Sequence, residues 1–191
     1  MEEIYKNIML SFAFIFSVGL LVLQNGTIHA EIVGFDLSSN VTIQKSLAIS
    51  FSSDLEDGII FEEVHFLPSF DVNASKNYAG ENQSTNYYVL VSPDGNVDVD
   101  LCIKADGDLV NSFGDRLNLT GETYSSSVNS SLLFPDLNDT ALSLVYVKAG
   151  EPASPGQSNF LRFWLDVPGA QPPGTYSNSI FLKAISSGPS C

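Results

Sequence analysis

Asn159-Phe-Leu-Arg-Phe-Trp-Leu-Asp-Val167, then Pro168-Gly-Ala-Gln-Pro-Pro-Gly174, then the run from Tyr176 to Ile185, decides the fold. Leu161, Phe163, Leu165 and Val167 alternate with Arg162 and Asp166, and Tyr176, Ile180, Leu182 and Ala184 form a matching row. Successive side chains of a strand point to opposite faces, so a period of two marks a half-buried β-strand and not a helix. Proline stops ladder pairing and glycine permits a reversal, which predicts a hairpin joining the two strands across 168–174.

The same period runs upstream. Residues 31–37, 47–52, 59–66, 86–92, 96–104 and 142–148 are each rich in Val, Ile, Phe, Tyr or Leu and bounded by Gly, Pro, Asn or Ser. Pro93-Asp-Gly-Asn96 reads as the turn of a second hairpin, between 86–92 and 97–104. Nothing after Ala30 carries the period of a long amphipathic helix. The expectation is an all-β chain: an immunoglobulin-like antiparallel β-sandwich of about eight or nine strands, one domain over 31–191 after an N-terminal signal helix. Two polar, Asn- and Ser-rich spans, 67–85 and 105–141, read as long loops, the second with a short strand at 116–119.

The first thirty residues place the chain. An unbroken apolar run from Ile8 to Leu23 follows a short polar start with Lys6, and a more polar stretch leads to Ala30. That is the layout of a secretory signal peptide cut near Ala30. As a helix the run measures about 24 Å, short of the roughly 30 Å of a bilayer core. Glu2 and Glu3 offset Lys6, and an uncleaved anchor is the competing reading, the only route to a membrane. The net charge of −14 repels phosphate backbones and anionic lipid, which argues against nucleic-acid partners. The expected location is extracellular, at the cell surface.

Cys102 and Cys191 are the two cysteines, and a pair in an exported chain predicts a disulfide. In Asn96-Val-Asp-Val-Asp-Leu-Cys-Ile-Lys104 the residues Val97, Val99, Leu101 and Ile103 share one face, leaving Cys102 outward with Asp98, Asp100 and Lys104. A cysteine on the outer face, bonded to Cys191, reads as a clasp for the C-terminal tail. A link between chains through Cys191 is the alternative. Asn-x-Ser/Thr sequons occur at Asn25, within the signal, and at Asn40, Asn73, Asn82, Asn118, Asn129 and Asn138. They predict an N-glycosylated surface, against the plainer reading that an Asn- and Ser-rich chain makes sequons by composition.

The search for reactive chemistry returns little. His65 is the one histidine beyond the signal, and with two bonded cysteines it cannot build the usual N/S zinc site. No nucleophile elbow accompanies it. The expectation is a non-enzyme without cofactor or metal. Asp94-Gly-Asn-Val-Asp-Val-Asp100 begins like a calcium loop, but Val99 stands where the sharp turn needs Gly and Ala105 where Glu belongs. Asp106 and Asp108 leave a loosely held calcium ion at a strand end as the alternative. At 31–37, Val33, Phe35 and Leu37 line one face and Ile32 the other. The segment either pairs at its own sheet edge or is donated into a groove of the next subunit, a head-to-tail contact that builds a filament.

The ending Leu165-Asp-Val-Pro168, then Pro172-Pro-Gly-Thr-Tyr176 and an alternating strand, resembles archaeal surface proteins and the subunits of non-type-IV archaeal threads and pili. It resembles spore-coat-U-like pilins more remotely. The resemblance covers about 142–191, with Asp100-Leu-Cys-Ile-Lys104 as weaker support. It implies a signal-cleaved, N-glycosylated subunit joined by donor-strand exchange, with Ile32, Val33, Phe35 and Leu37 as the assembly strand and no catalytic residues. The expected role is a secreted structural protein, partnered by copies of itself or by other cell-surface proteins. The alternative is an extracellular binding or adhesion module for a sugar or protein, touching its ligand through the 105–141 span with Tyr124 and Phe134.

Overall fold

In the computed structural model, which describes residues 40–80, 86–131 and 140–191, the alternating stretch forms the longest strand. The chain divides into two units, Met1–Thr42 and Ile43–Cys191. Of the first, only Asn40, Val41 and Thr42 are described, and all three are exposed.

The second unit is built from antiparallel sheets, as the period of two requires. In chain order its elements are β1 (Ile49–Phe51), α1 (Ser53–Glu56), β2 (Ser69–Asn73), β3 (Tyr88–Val91), β4 (Val99–Ala105), β5 (Leu109–Val110) and β6 (Arg116–Leu117). A 3-10 turn at Leu119–Gly121 precedes β7 (Glu122–Ser127), β8 (Thr140–Ala141), β9 (Val147–Lys148), β10 (Ser158–Val167) and β11 (Ile180–Ser186). β10 is the spine of a six-stranded sheet. β7 pairs along one side of it, while β3 and β2 share the other, and β1 and β8 extend the ends. A three-stranded sheet runs β11-β4-β9, and β5 with β6 makes a short ribbon.

Alternation becomes burial. Leu161 and Phe163 of β10, Val89 of β3 and Tyr124 of β7 join Leu101, Ile103 and Ala105 of β4 in one apolar cluster. The core therefore takes side chains from both larger sheets. Each large side chain fully buried there is worth roughly 1.5–3 kcal/mol. Tyr87 meets Phe163 edge-on, with ring centres 5.8 Å apart.

Neither predicted hairpin forms. β11 pairs with β4, Ile180 opposite Ala105 and Ser186 opposite Val99, so 168–174 carries the chain from one sheet to the other. Likewise β3 pairs with β1 and β10, and Pro93-Asp-Gly-Asn96 is a crossing and not a hairpin turn. A period of two fixes which face of a strand is buried and says nothing about which strand lies beside it.

The spans read as loops contain strands. β2 falls within 67–85, and β5, β7 and β8 within 105–141, where β6 at Arg116–Leu117 is the short strand expected at 116–119. β7, Glu-Thr-Tyr-Ser-Ser-Ser, has little apolar pattern, but it runs beside β10 from Glu122–Leu165 to Ser127–Phe160, and pairing in context outweighs weak propensity. Conversely, 59–66 makes only an isolated bridge, Phe61 to Ala74, and 142–148 keeps just β9 at its end.

Cys102 is fully buried, contrary to its expected outward exposure. It does lie on the polar side of β4, yet the C-terminal tail covers that side. Cys102 and Cys191 are bonded, with Cα atoms 6.0 Å apart. Asp100 Oδ2 accepts from Lys148 Nζ at 2.7 Å and from the Gly188 N–H at 3.0 Å, and Asp100 Oδ1 accepts from the Ser187 hydroxyl at 3.3 Å. Lys148 Nζ also donates to the Gly188 carbonyl, and Lys183 Nζ donates to the Cys191 carbonyl at 3.0 Å. Burial by itself would raise the Asp100 carboxyl, but Lys148, the Gly188 N–H and the Ser187 hydroxyl outweigh it and hold the group below the usual carboxylate range.

Candidate functional site

β11 pairs with β4 on one side, and among the described residues no strand pairs with its other edge. An unpaired edge presents a row of backbone N–H and C=O groups, a template for another strand. Beside it lies a groove of about 1280 Å³. Ile180, Phe181 and Leu182 line it consecutively. Neighbours in a strand point to opposite faces, so the groove follows the edge of β11 and not one surface of the sheet.

The opposite wall is 58–65, most of the 59–66 stretch whose sequence reads as a strand. The Tyr87 hydroxyl pins its start, donating to the Gly58 carbonyl at 3.2 Å and accepting from the Ile60 N–H at 3.2 Å. The Ile60 carbonyl takes the Ser75 N–H at 2.8 Å. Beyond Phe61, residues 62–66 pair with no strand. The groove thus has a strand edge on one side and a strand-like segment without a sheet on the other. Its floor is apolar. Leu109 and Leu117 of the ribbon pack with Leu165 and Val167 of β10, and Phe61, Val64 and Tyr176 close over them.

One polar pair interrupts this surface. Glu122, first residue of β7, lines the groove with 1% exposure, and its Oε2 accepts from Asn178 Nδ2 at 2.7 Å. Asn178 also donates to the Gly107 carbonyl at 3.2 Å. Burial raises the Glu122 carboxyl above its ordinary value; the Asn178 amide opposes the shift and the nearby Asp106 adds to it. No local motif announces Glu122 or Asn178, since their chemistry comes from burial across 56 residues of sequence.

The sequence-predicted positions scatter. Ile32, Val33, Phe35 and Leu37 lie outside the described residues, as do the signal segment, Asn82, Asn138 and Phe134. Asn40, Asn73, Asn118 and Asn129 are exposed. Asn118 Oδ1 accepts from the Thr120 N–H at 2.9 Å and the Thr120 hydroxyl at 2.8 Å, capping the 3-10 turn. Tyr124 is a core residue with 2% exposure, which removes it as a ligand-contacting aromatic. The oxygen-bearing side chains in and near the calcium-like string are engaged separately. Asn96 accepts from the Ser46 N–H, Asp98 from the Ser154 hydroxyl, Asp106 from the Ser179 N–H, and Asp108 from the Leu119 N–H. Among the described residues no three His, Cys, Asp or Glu side chains converge as a metal site. No family model, curated protein or solved structure matches the chain.

Proposed function

We propose that this chain is a secreted cell-surface structural protein, an immunoglobulin-like β-sandwich that polymerises by donating its 31–37 strand to the next copy. The observation that carries this reading is the apolar groove along the edge of β11 that no strand pairs among the described residues. A seven-residue strand extends about 23 Å. Its backbone would pair with the β11 edge at about 1 kcal/mol net per hydrogen bond. Val33, Phe35 and Leu37 on one face would cover the groove floor at roughly 1.5–3 kcal/mol each. Such a contact places donor and acceptor at different ends of the chain, so it does not close on itself and a filament grows.

The test is to purify the secreted chain with and without 31–37 and compare size-exclusion profiles and negative-stain electron micrographs. Filaments that survive reducing agent and vanish on deletion are the expected result. A monomer in both preparations overturns the reading. The alternative, an extracellular binding or adhesion module for a sugar or protein, draws support from three exposed aromatics: Phe66 and Phe70 on either side of Pro68, and Phe113 on the β5–β6 connection. For that module, deleting 31–37 costs stability at most and leaves ligand capture intact.

A further inference from the structure

We propose that Lys104 and Lys183 of the accepting subunit choose and align the incoming strand by pairing with Asp36 of the donor, seated antiparallel to β11. The inference rests on the strand-donation reading and names what fixes its register and its partner. β11 carries one charged residue, Lys183, and a lysine on an open strand edge discourages pairing by strands in general. Its ammonium lies 4.1 Å from the Tyr146 ring centre, while that of Lys104 lies 5.0 Å from the same ring and 5.2 Å from the ring of Phe181. Two cations thus gather round one ring beside the open edge. Lys183 gives one hydrogen to the Cys191 carbonyl, and among the described residues neither ammonium makes an ion pair with an aspartate or glutamate. Lys148, the third lysine of this sheet, is spent on Asp100. In a chain of net charge −14, the edge of β11 is a local excess of positive charge.

The period of two decides where the donor's acid falls. Ile180 and Leu182 turn to the apolar cluster, so Phe181 and Lys183 turn away from it. Any register that lays Val33, Phe35 and Leu37 over the groove floor turns Asp36 to the side of Phe181 and Lys183. The segment 31–37 and β11 are both seven residues long. Matched end to end and antiparallel, Leu37 meets Ile180, Phe35 meets Leu182, Val33 meets Ala184, and Asp36 stands opposite Phe181. Phe181 is itself opposite Lys104 of β4. Lys183 is the next residue on that face, a diagonal step of about 7–8 Å that a lysine spans. The carboxylate therefore arrives between the two ammoniums. The parallel match sends Asp36 to Ile185, whose neighbour on β4 is Asp100, and leaves Lys104 at the far end. A chain cut before Glu31 brings its own ammonium. In the antiparallel match that group lies beside Glu31 at the Ser186 end, about 17 Å from Asp36, and leaves the Asp36 charge to the lysines. Glu31 meets a cation there too, since Lys45 Nζ donates to Ser186 Oγ at 3.0 Å.

Asp36 and the two lysines sit on different copies, so exchanging charge between copies reads the contact. The critical concentration for assembly of the secreted chain is measured by pelleting and negative-stain electron microscopy. The panel is wild type, Asp36→Lys, Lys183→Glu, an equimolar mixture of those two variants, and a 31–37 deletion. Replacing attraction by repulsion raises the critical concentration about tenfold in each variant alone. Net charge cannot produce that pair of results, because the two substitutions shift it in opposite directions. In the mixture each donor finds an acceptor of opposite charge, so assembly returns near the wild-type concentration as an alternating filament. If the deletion abolishes filaments while either variant alone assembles within about twofold of wild type, or the mixture does no better than its components, the charge pairing is wrong and strand donation stands. If the deletion still assembles, or wild type never does, the reading beneath fails as well. Should Lys183→Glu not fold, Lys183→Met takes its place: Asp36→Lys is expected to cost less in that background than in wild type, and an equal cost overturns the pairing.

Discussion

Removing the covalent clasp is the most quantitative test of how the second unit is held together. Cys102 and Cys191 are 89 residues apart in sequence. Tying the ends of a loop of that length restricts the unfolded chain by about 4.6 kcal/mol in the chain-entropy relation. Cys102 is also fully buried, so a Cys102→Ala, Cys191→Ala double variant loses apolar contact in addition. The folded tail itself should persist, because Asp100, Lys148 and Lys183 still bind Ser187, Gly188 and Cys191 backbone or hydroxyl groups. Destabilisation should thus appear globally and not as fraying of the tail. Equilibrium urea unfolding reads it directly: with a slope of about 2 kcal/mol per molar, the midpoint falls by roughly 2 M or more at unchanged slope. A midpoint within about 0.5 M of wild type, with faster amide exchange confined to 187–191, would refute the reasoning. It would mean that the bond pins only the tail.

Two buried carboxyls give opposite pH signatures. Asp100 is held below its unfolded value, so its contribution is present above about pH 4 and is lost as pH falls through the folded value. Asp100→Asn should cost about 2 kcal/mol at neutral pH and converge with wild type in acid, measured by urea unfolding against pH. Glu122 is raised, so its contribution is complete below about pH 4 and is lost as pH rises toward the folded value; Glu122→Gln should gain on wild type in stability as pH rises. Gly150 has φ of +82° and an added Cβ would lie 2.8 Å from the Ser126 carbonyl oxygen, so Gly150→Ala should lower stability by about 2 kcal/mol in the same assay. Expressed in a host that N-glycosylates exported chains, the protein should carry glycans at Asn40, Asn73, Asn118 and Asn129 by peptide mass spectrometry, and Thr120→Ala should remove the one at Asn118.

What the sequence made legible was faces, and what it hid was neighbours. Leu161, Phe163, Leu165 and Val167 are all buried, and Ile180 and Leu182 pack at the margin of the same core, as alternation requires. The pairing of Cys102 with Cys191 was equally readable, because two cysteines allow one pairing within the chain. Partner choice was not, since Pro168 and Gly174 mark a break in the chain without saying whether it returns to the same sheet. β7 was missed because Tyr124 is its only large apolar residue, and its strand character is imposed by β10. Cys102 looked exposed because the covering tail lies 85 or more residues downstream and leaves no trace around 96–104. The groove is half legible: 59–66 has the composition of a strand, and in the fold it is a strand-like segment that lacks a sheet. Glu122 had no signal, since one acid among many is singled out only by what buries it.

The order in which the strands are made has a consequence for biogenesis. β4 lies at Val99–Ala105, yet both of its sheet neighbours, β9 and β11, come later along the chain. As the polypeptide emerges, Val99, Leu101 and Ile103 wait for Val147–Ala153 on one side and for Ile180–Ser186 on the other, and contacts of such sequence separation form slowly. β11, whose edge borders the groove, is the last strand in order among the described residues. In the filament proposed above, a subunit would acquire its receptive edge only once β4 is matched by β11, and half-made chains would have no such edge to offer a neighbour.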